Sequence, residues 1–298
     1  MEVQKFGGGI MTGAPAIKKL PNIFENHIKG ESISVFSAFG KTTNALEKVV
    51  QTYIAGDKIE STKILSEVKK FHLAIAQELF PSGHIIFALI EDIFNEIEET
   101  LRRKTEQNKN SKFIYDQIVS YGEILASHII SHYLSTVGIS NKLVHATDFI
   151  KTDSNFGEAN VDKDATFKNI RAQIDSRLLA SHKNIITQGF IGFTTEGRTT
   201  LGHEGSDYTT GIIGAGKGTD KIVLWKNVSG VMDKDPNLPG NEDAKKIDFV
   251  LRDDFKNIAG TTAKGLVHDK TLDVFDGEIH IKNFKDPNSK GTIIGRKL

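Results

Sequence analysis

Short β-branched apolar runs recur along this chain with helical stretches between them, and that alternation constrains the fold more than any other feature. Val3–Phe6, Ser32–Ala38, Lys142–His145, Ile185–Phe193, Ile222–Trp225 and Ile279–Phe284 read as strands. Ile17, Leu20, Ile23 and Phe24 follow helical spacing, residues 61–138 are almost wholly helical with a break at Pro81–Gly83, and Phe167–Leu179 reads as a further helix. Within the long helical region Ile85–Leu101 is amphipathic, with its acids on a solvated face, and Lys104–Lys112 reads as a polar loop. Strands spaced by helices predict an α/β protein with a mostly parallel sheet covered on both faces. Ligands of such sheets sit at the carboxyl ends of the strands, and the glycine-rich segments of this chain fall there.

A chain of 298 residues can bury a large core as one domain or two lobes. Its 38 Lys plus Arg balance 38 Asp plus Glu, so no basic field argues for nucleic acid or an anionic membrane as partner. With no cysteine, disulfides, thiolate metal sites and cysteine nucleophiles are excluded. The N-terminus lacks a signal-peptide core and no apolar run reaches the roughly 18–20 residues of a membrane span, so cytoplasmic is the default reading.

Two near-matches to a P-loop fail. In Gly211–Gly218 a glycine stands where the magnesium-binding hydroxyl belongs, and ahead of Gly40-Lys41-Thr42 the first glycine is Val35. His128 and His132 are four apart on a helix, but without a third ligand they read as a packed or surface pair rather than a metal site. Three segments carry chemistry. Lys5-Phe6-Gly7-Gly8-Gly9 puts a fixed positive charge beside exposed backbone N–H groups at a strand end. Gly202–Thr209 sets a glycine loop before a helix N-terminus, with Ser206 or Asp207 available as the cap. Gly122-Glu123 places an acid at a helix start.

Taken in order, these segments resemble the catalytic domain of the aspartate kinases, members of the amino-acid kinase family. The Lys5–Gly8 strand end is similar to that family's opening, and Ser37, Ala38, Gly40, Thr43 and Asn44 to its next loop. Gly122-Glu123 and the Thr199–Thr209 run follow, then Trp225, Val228, Gly230, Val231, Asp235 and Pro236, then Ile281–Phe284 with Pro287 and Gly291–Ile294. The resemblance implies a three-layer α/β/α fold with a mostly parallel, roughly eight-stranded sheet in one catalytic domain spanning 1–298. It implies a substrate lobe over about 1–200 and a nucleotide lobe over about 201–298. It also implies transfer of the γ-phosphoryl group of ATP to the side-chain carboxylate of L-aspartate, with Mg²⁺ delivered by the ATP, and it leaves a homodimer open. Catalysis would fall to Lys5 and Asp207, acceptor binding to Ser37, Thr43, Glu123, His203 and Ser206, and nucleotide binding to Gly7, Gly8, Lys226, Asn227, Met232 and Lys264.

The chain departs from the family at several of these positions. Gly9-Ile10 replace a Thr-Ser pair, His203 replaces the arginine that clamps the substrate carboxylate, Asn227 an aspartate, Met232 an aromatic residue, and Asn237 an arginine. A histidine, mostly neutral at pH 7, cannot form the bidentate guanidinium fork, which leaves Arg198 as the alternative clamp. Ala263–His268 matches its family counterpart loosely, and Lys264 is carried over from that match. The chain also ends where the family's paired regulatory ACT domains begin. Two alternatives therefore stand beside the kinase: an impaired paralogue serving as a binding or partner subunit, and a same-fold kinase for another carboxylate or carbamate.

Overall fold

A computed structural model of the chain describes residues 1–106, 110–234, 239, 241–258, 263 and 265–295. Strand β1 (Glu2–Phe6) leads through α1 (Ala14–Ile17) and α2 (Leu20–Asn26) to β2 (Ser32–Phe36). Five helices follow: α3 (Thr42–Ile54), α4 (Lys58–Leu79), α5 (Ile86–Glu106), α6 (Ser111–Val119) and α7 (Tyr121–Thr136). Asp57 and Asn110 cap α4 and α6 by accepting from Glu60 N and Lys112 N, at 3.0 and 2.8 Å. Helix α4 ends at Phe80, whose extended backbone suits the following Pro81.

Strand β3 (Asn141–Leu143) precedes α8 (Lys163–Gln173), α9 (Ser176–His182) and β4 (Asn184–Gln188). A hairpin of β5 (Ile191–Thr194) and β6 (Gly197–Thr200) then leads into α10 (Gly205–Lys217) and β7 (Lys221–Lys226). The last part contains β8 (Val231–Met232), β9 (Lys246–Ile247), β10 (Phe249–Leu251), α11 (Arg252–Ile258), α12 (Asp269–Val274), β11 (Glu278–Asn283) and β12 (Thr292–Gly295). Eight strands form one sheet in the order β10-β12-β11-β7-β1-β2-β4-β3, parallel throughout except where β12 meets β11. This is the eight-stranded, mostly parallel α/β/α arrangement that the family resemblance implies.

Strand alternation explains the layering. Lys5 and Phe6 are adjacent, so they point to opposite faces. Phe6 stacks between Phe36 of β2 and Trp225 of β7, with centroids 4.8 and 6.0 Å away, and also meets Phe24 of α2. The face of Lys5 is covered by α10, which packs on β1, β2 and β7. Gly214 permits that close approach: a Cβ there would lie 2.7 Å from Ile222 Cγ2 and 2.8 Å from Phe275 Cε2. Gly211, Gly214 and Gly216 thus serve helix packing and Gly218 ends α10 in the left-handed conformation, in keeping with the rejection of a P-loop.

Some boundaries differ from the sequence reading. Ile185–Phe193 is two strands, β4 and β5, broken at Gly189-Phe190, where Phe190 has φ 69°. Phe167–Leu179 is likewise two helices, because Asp175 accepts from Leu178 N at 2.8 Å and starts α9 afresh. The loop expected over Lys104–Lys112 is narrower, since α5 runs to Glu106 and α6 begins at Ser111, with 107–109 outside the described residues. Among the described residues no helix is long and apolar enough to cross a membrane.

Gly291 closes the β11–β12 connection with φ 71°, and a Cβ there would collide with the carbonyl oxygen of Ile281. Backbone strain and overlap act in the same direction, so Gly291→Ala is expected to cost roughly 2–4 kcal/mol. Chemical denaturation of the two proteins measures the difference.

Candidate functional site

The carboxyl ends of β1, β2, β4 and β7 converge on the N-terminus of α10. Lys5 is the penultimate residue of β1 and Lys226 ends β7, and between their ammonium groups lies the carboxylate of Asp207, in the first turn of α10. Lys226 Nζ donates to Asp207 Oδ2 at 2.9 Å. Lys5 Nζ sits 2.6 Å from Oδ1 as a contact ion pair, without the alignment of a hydrogen bond. Asp207 is 1% exposed. Burial alone would raise its pKa, but the charges of Lys226 and Lys5 outweigh burial and hold it at about 2. Lys5 is pulled below the usual lysine range by burial and by Lys226, against the attraction of Asp207. Two cations share one anion, so the cluster retains a net positive charge away from water.

Neither Ser206 nor Asp207 caps α10. The cap position is Glu204, with φ 54°, and its side chain makes no cap hydrogen bond. Ser206 and Asp207 lie inside the first turn, where the helix N–H groups and dipole favour an anion. The Ser206 hydroxyl accepts from Ser37 Oγ at 2.9 Å, tying the loop after β2 to α10. Phe190 and Glu204 are two of three described non-glycine residues with positive φ, and both line the cleft below. Such a backbone conformation is costly for residues with a Cβ, and its concentration here marks a functional region.

That cleft has a volume of about 350 Å³. It brings together Gly8, Ser37, Thr43, Glu123, His203 and Ser206, and adds Asn44, Glu47, Tyr115, Gly157, Phe190, Gly202 and Glu204. Gly8 must be a glycine, because a Cβ would lie 2.7 Å from Ala38 O and 3.1 Å from Gly40 O. Glu123 is 2% exposed in the first turn of α7. Its Oε1 accepts from Ala38 N at 3.2 Å, and its Oε2 has no partner. Burial pushes its pKa up to about 8. A buried acceptor with nothing to accept is expensive, and an ammonium group entering the cleft would satisfy it.

His203 stands at the rim with its side chain 93% exposed, 4.0 Å from Glu204. Arg198 is not at the cleft. Its guanidinium donates to Ser120 Oγ and Gln117 O at 2.8 and 2.7 Å and lies over the Tyr121 ring. Asn227 lines a second cleft, of about 290 Å³, with Gly9, Ile10, Thr12, Lys19 and Lys285. The glycine loop after β1 stands between the two clefts. Gly7 packs against Lys5, where a Cβ would lie 2.8 Å from Nζ, and Met232 lies in the β8–β9 hairpin apart from both clefts. Lys264, Asp235, Pro236 and Asn237 lie outside the described residues. Sequence reading missed the pairing of Lys226 with Asp207, and it missed Glu47, Tyr115 and Gly157, which no motif marks. His128 and His132 face His145 and His84, and among the described residues no three metal-binding side chains converge.

Fold and site together define an α/β protein with buried lysines and a helix N-terminus gathered at the ends of parallel strands. The chain belongs to the amino acid kinase family, whose model matches residues 1–283. It is 30% identical to aspartokinase 1 (chloroplastic) of Arabidopsis thaliana, over 98% of this chain and 51% of that protein. Identity to the lysine-sensitive aspartokinase 3 of Escherichia coli is 27%, over 99% of this chain and 64% of that one. The chain thus spans about half the length of the plant relatives it matches. The crystal structure of E. coli aspartokinase III in complex with aspartate and ADP superposes with a TM-score of 0.87 at 26% identity, covering 100% of this chain and 65% of that chain.

The raised pKa of Glu123 fixes a pH dependence. Between its ordinary 4.5 and about 8 the folded chain holds a proton that the unfolded chain has released, so this group costs stability as pH rises through that window. Glu123→Gln removes the cost. The variant is expected to gain over the ligand-free parent between pH 5 and pH 8, by on the order of a few kcal/mol, in parallel denaturation curves.

Proposed function

We propose that this chain catalyses ATP-dependent phosphorylation of the side-chain carboxylate of L-aspartate, giving 4-phospho-L-aspartate and ADP. The observation that carries this reading is the buried Lys5–Asp207–Lys226 cluster beside a cleft whose inner wall holds the unpartnered carboxylate of Glu123. The likeness to proteins named aspartokinases, one of them crystallised with aspartate and ADP, selects the acceptor and the nucleotide. In the reaction a carboxylate oxygen of aspartate attacks the γ-phosphorus, the bond to the β–γ bridging oxygen breaks, and ADP leaves with that electron pair. Acceptor and phosphoryl group are both anionic, so the protein's task is positioning and charge stabilisation. Lys5 meets the transferring group, and Lys226 shares the charge. Asp207 keeps both ammonium groups in place, while Glu123 takes the acceptor's ammonium and Ser37, Thr43 and Ser206 its polar edges.

The nucleotide approaches from the side of Gly9 and Asn227, where residues from both ends of the chain, 9–19 and 227–285, line the cleft. The described residues do not fit a resident divalent cation, since no carboxylate cage is present and Asp207 is already held by two lysines. The substrate is accordingly the MgATP complex. A second reading, a kinase for a different carboxylate, is favoured by one observation. Glu47, Glu123 and Glu204 line the acceptor cleft, and no lysine or arginine does among the described residues.

Incubation with MgATP, a panel of amino acids and hydroxylamine decides between the two readings. Aspartate is expected to yield the hydroxamate, whereas turnover of another acid in its place would select the second. Lys5→Ala should reduce turnover by on the order of 100-fold while the protein stays folded, and an unchanged rate would remove Lys5 from the mechanism. His203→Arg should lower the KM for aspartate by about tenfold, because a guanidinium restores two charged donors at the rim. Steady-state titration of aspartate at fixed MgATP reads that change.

A further inference from the structure

One buried carboxylate has no part in the scheme above. Asp116 of α6 is fully buried and no cation pairs with it among the described contacts. Its oxygens accept from Thr200 Oγ1 at 2.6 Å, from Thr200 N at 3.0 Å, and from Gly157 N, which is shared between both oxygens at 3.0 Å. Burial raises its pKa to about 6, against the pull of those donors. A buried charge satisfied only by neutral donors is a costly way to fill space.

The chemistry of the donors explains why a carboxylate stands there. Two backbone N–H groups and a hydroxyl all point at it, and only an ionised carboxylate offers acceptors on both branches with no donor of its own. The donors come from two separate segments, and each continues to the acceptor cleft. Gly157 lines the cleft itself, Thr200 is two residues before the lining residue Gly202, and Tyr115, beside Asp116, lines the cleft from α6. The segments are stitched to each other as well, since Ala159 N donates to Thr200 O at 2.9 Å. The next residue of α6, Gln117, pairs with the backbone of β6, donating to Arg198 O at 2.7 Å and accepting from Arg198 N at 3.2 Å. Arg198 in turn grips Ser120 and Tyr121, where α7 begins, two residues before Glu123.

We propose that Asp116 is a positioning residue that fixes the acceptor wall of the cleft, locking the Gly157 loop and the Thr200–Gly202 segment to the helix pair that presents Glu123. The proposal rests on the acceptor assignment above for its kinetic consequence, but the joint itself is testable without it. Asp116→Asn turns an NH₂ group against an N–H donor, and Thr200→Val removes the hydroxyl while keeping the side-chain shape. Thr200→Ser keeps the hydroxyl.

In Asp116→Asn and Thr200→Val the KM for aspartate should rise by about tenfold or more, while the KM for MgATP stays within about threefold. Thr200→Ser should behave like the parent, and the Thr200 pair decides the matter if Asp116→Asn does not fold. Hydrogen exchange should show the Gly157 and Thr200 amides losing protection, along with neighbouring cleft residues, while the central strands keep theirs. An aspartate KM unchanged in both variants, or both KM values rising together, overturns the positioning role. If the parent phosphorylates no carboxylate, the assigned function fails, and exchange alone judges the joint: unchanged protection in the variants refutes it, and selective loss supports it.

Discussion

The site depends on one carboxylate holding two ammonium groups out of water. Asp207 joins α10 to the ends of β1 and β7, so the same contacts that dock the helix also set the spacing of Lys5 and Lys226. An ion cluster at this depth contributes little net stability, because desolvation consumes most of the Coulombic gain. Its value lies in preorganisation. The lysines are fixed before any ligand arrives, and a net positive charge is left over at the carboxyl ends of the strands. The rest of the sheet serves this geometry, with the Phe36–Phe6–Trp225 stack holding the three strands in register on the opposite face.

The parts of this arrangement that were legible in the sequence are those that depend on local pattern. The central strands are β-branched and apolar, so the parallel α/β sheet followed from their spacing, and Lys5 before its glycines marked a strand end. The edge and hairpin strands β6, β8, β9, β10 and β12 have two to four residues each, too few for an alternation to register. Phe190 looked like strand because nothing in its chemistry announces a left-handed backbone; that conformation is imposed by contact with α10, where Phe190 N donates to Thr209 Oγ1 at 3.1 Å. Asp207 read as a possible cap because its true partners are far away in sequence, and long-range pairing leaves no local trace. Asp116 was silent for the same reason.

The cleft beside α10 is shaped by small residues and by charges set in unusual places. Gly8 and Gly189 let backbone segments meet at distances no side chain tolerates; a Cβ on Gly189 would fall 2.5 Å from Ser206 Cβ. Into the space so shaped the chain points Glu123, whose buried unpartnered oxygen destabilises the empty protein. Exposed His203 occupies the rim where the family resemblance implies an arginine, and the strained Glu204 stands beside it. The inner wall is therefore tightly determined, whereas the outer rim has exchanged positive charge for negative.

The aromatic stack has a further consequence. Trp225 is the only tryptophan in the chain, is 1% exposed, and donates from Nε1 to Gln4 Oε1 at 2.6 Å. Gln4 and Trp225 each immediately precede a lysine of the charged cluster, so this hydrogen bond couples the two strands one residue behind Lys5 and Lys226. The indole lies on the sheet face opposite α10 and the Lys5–Asp207–Lys226 cluster, stacked on Phe6. The chain thus carries one tryptophan among five tyrosines, buried between the two strands that bear its paired lysines, so that its emission reports on the surroundings of that joint.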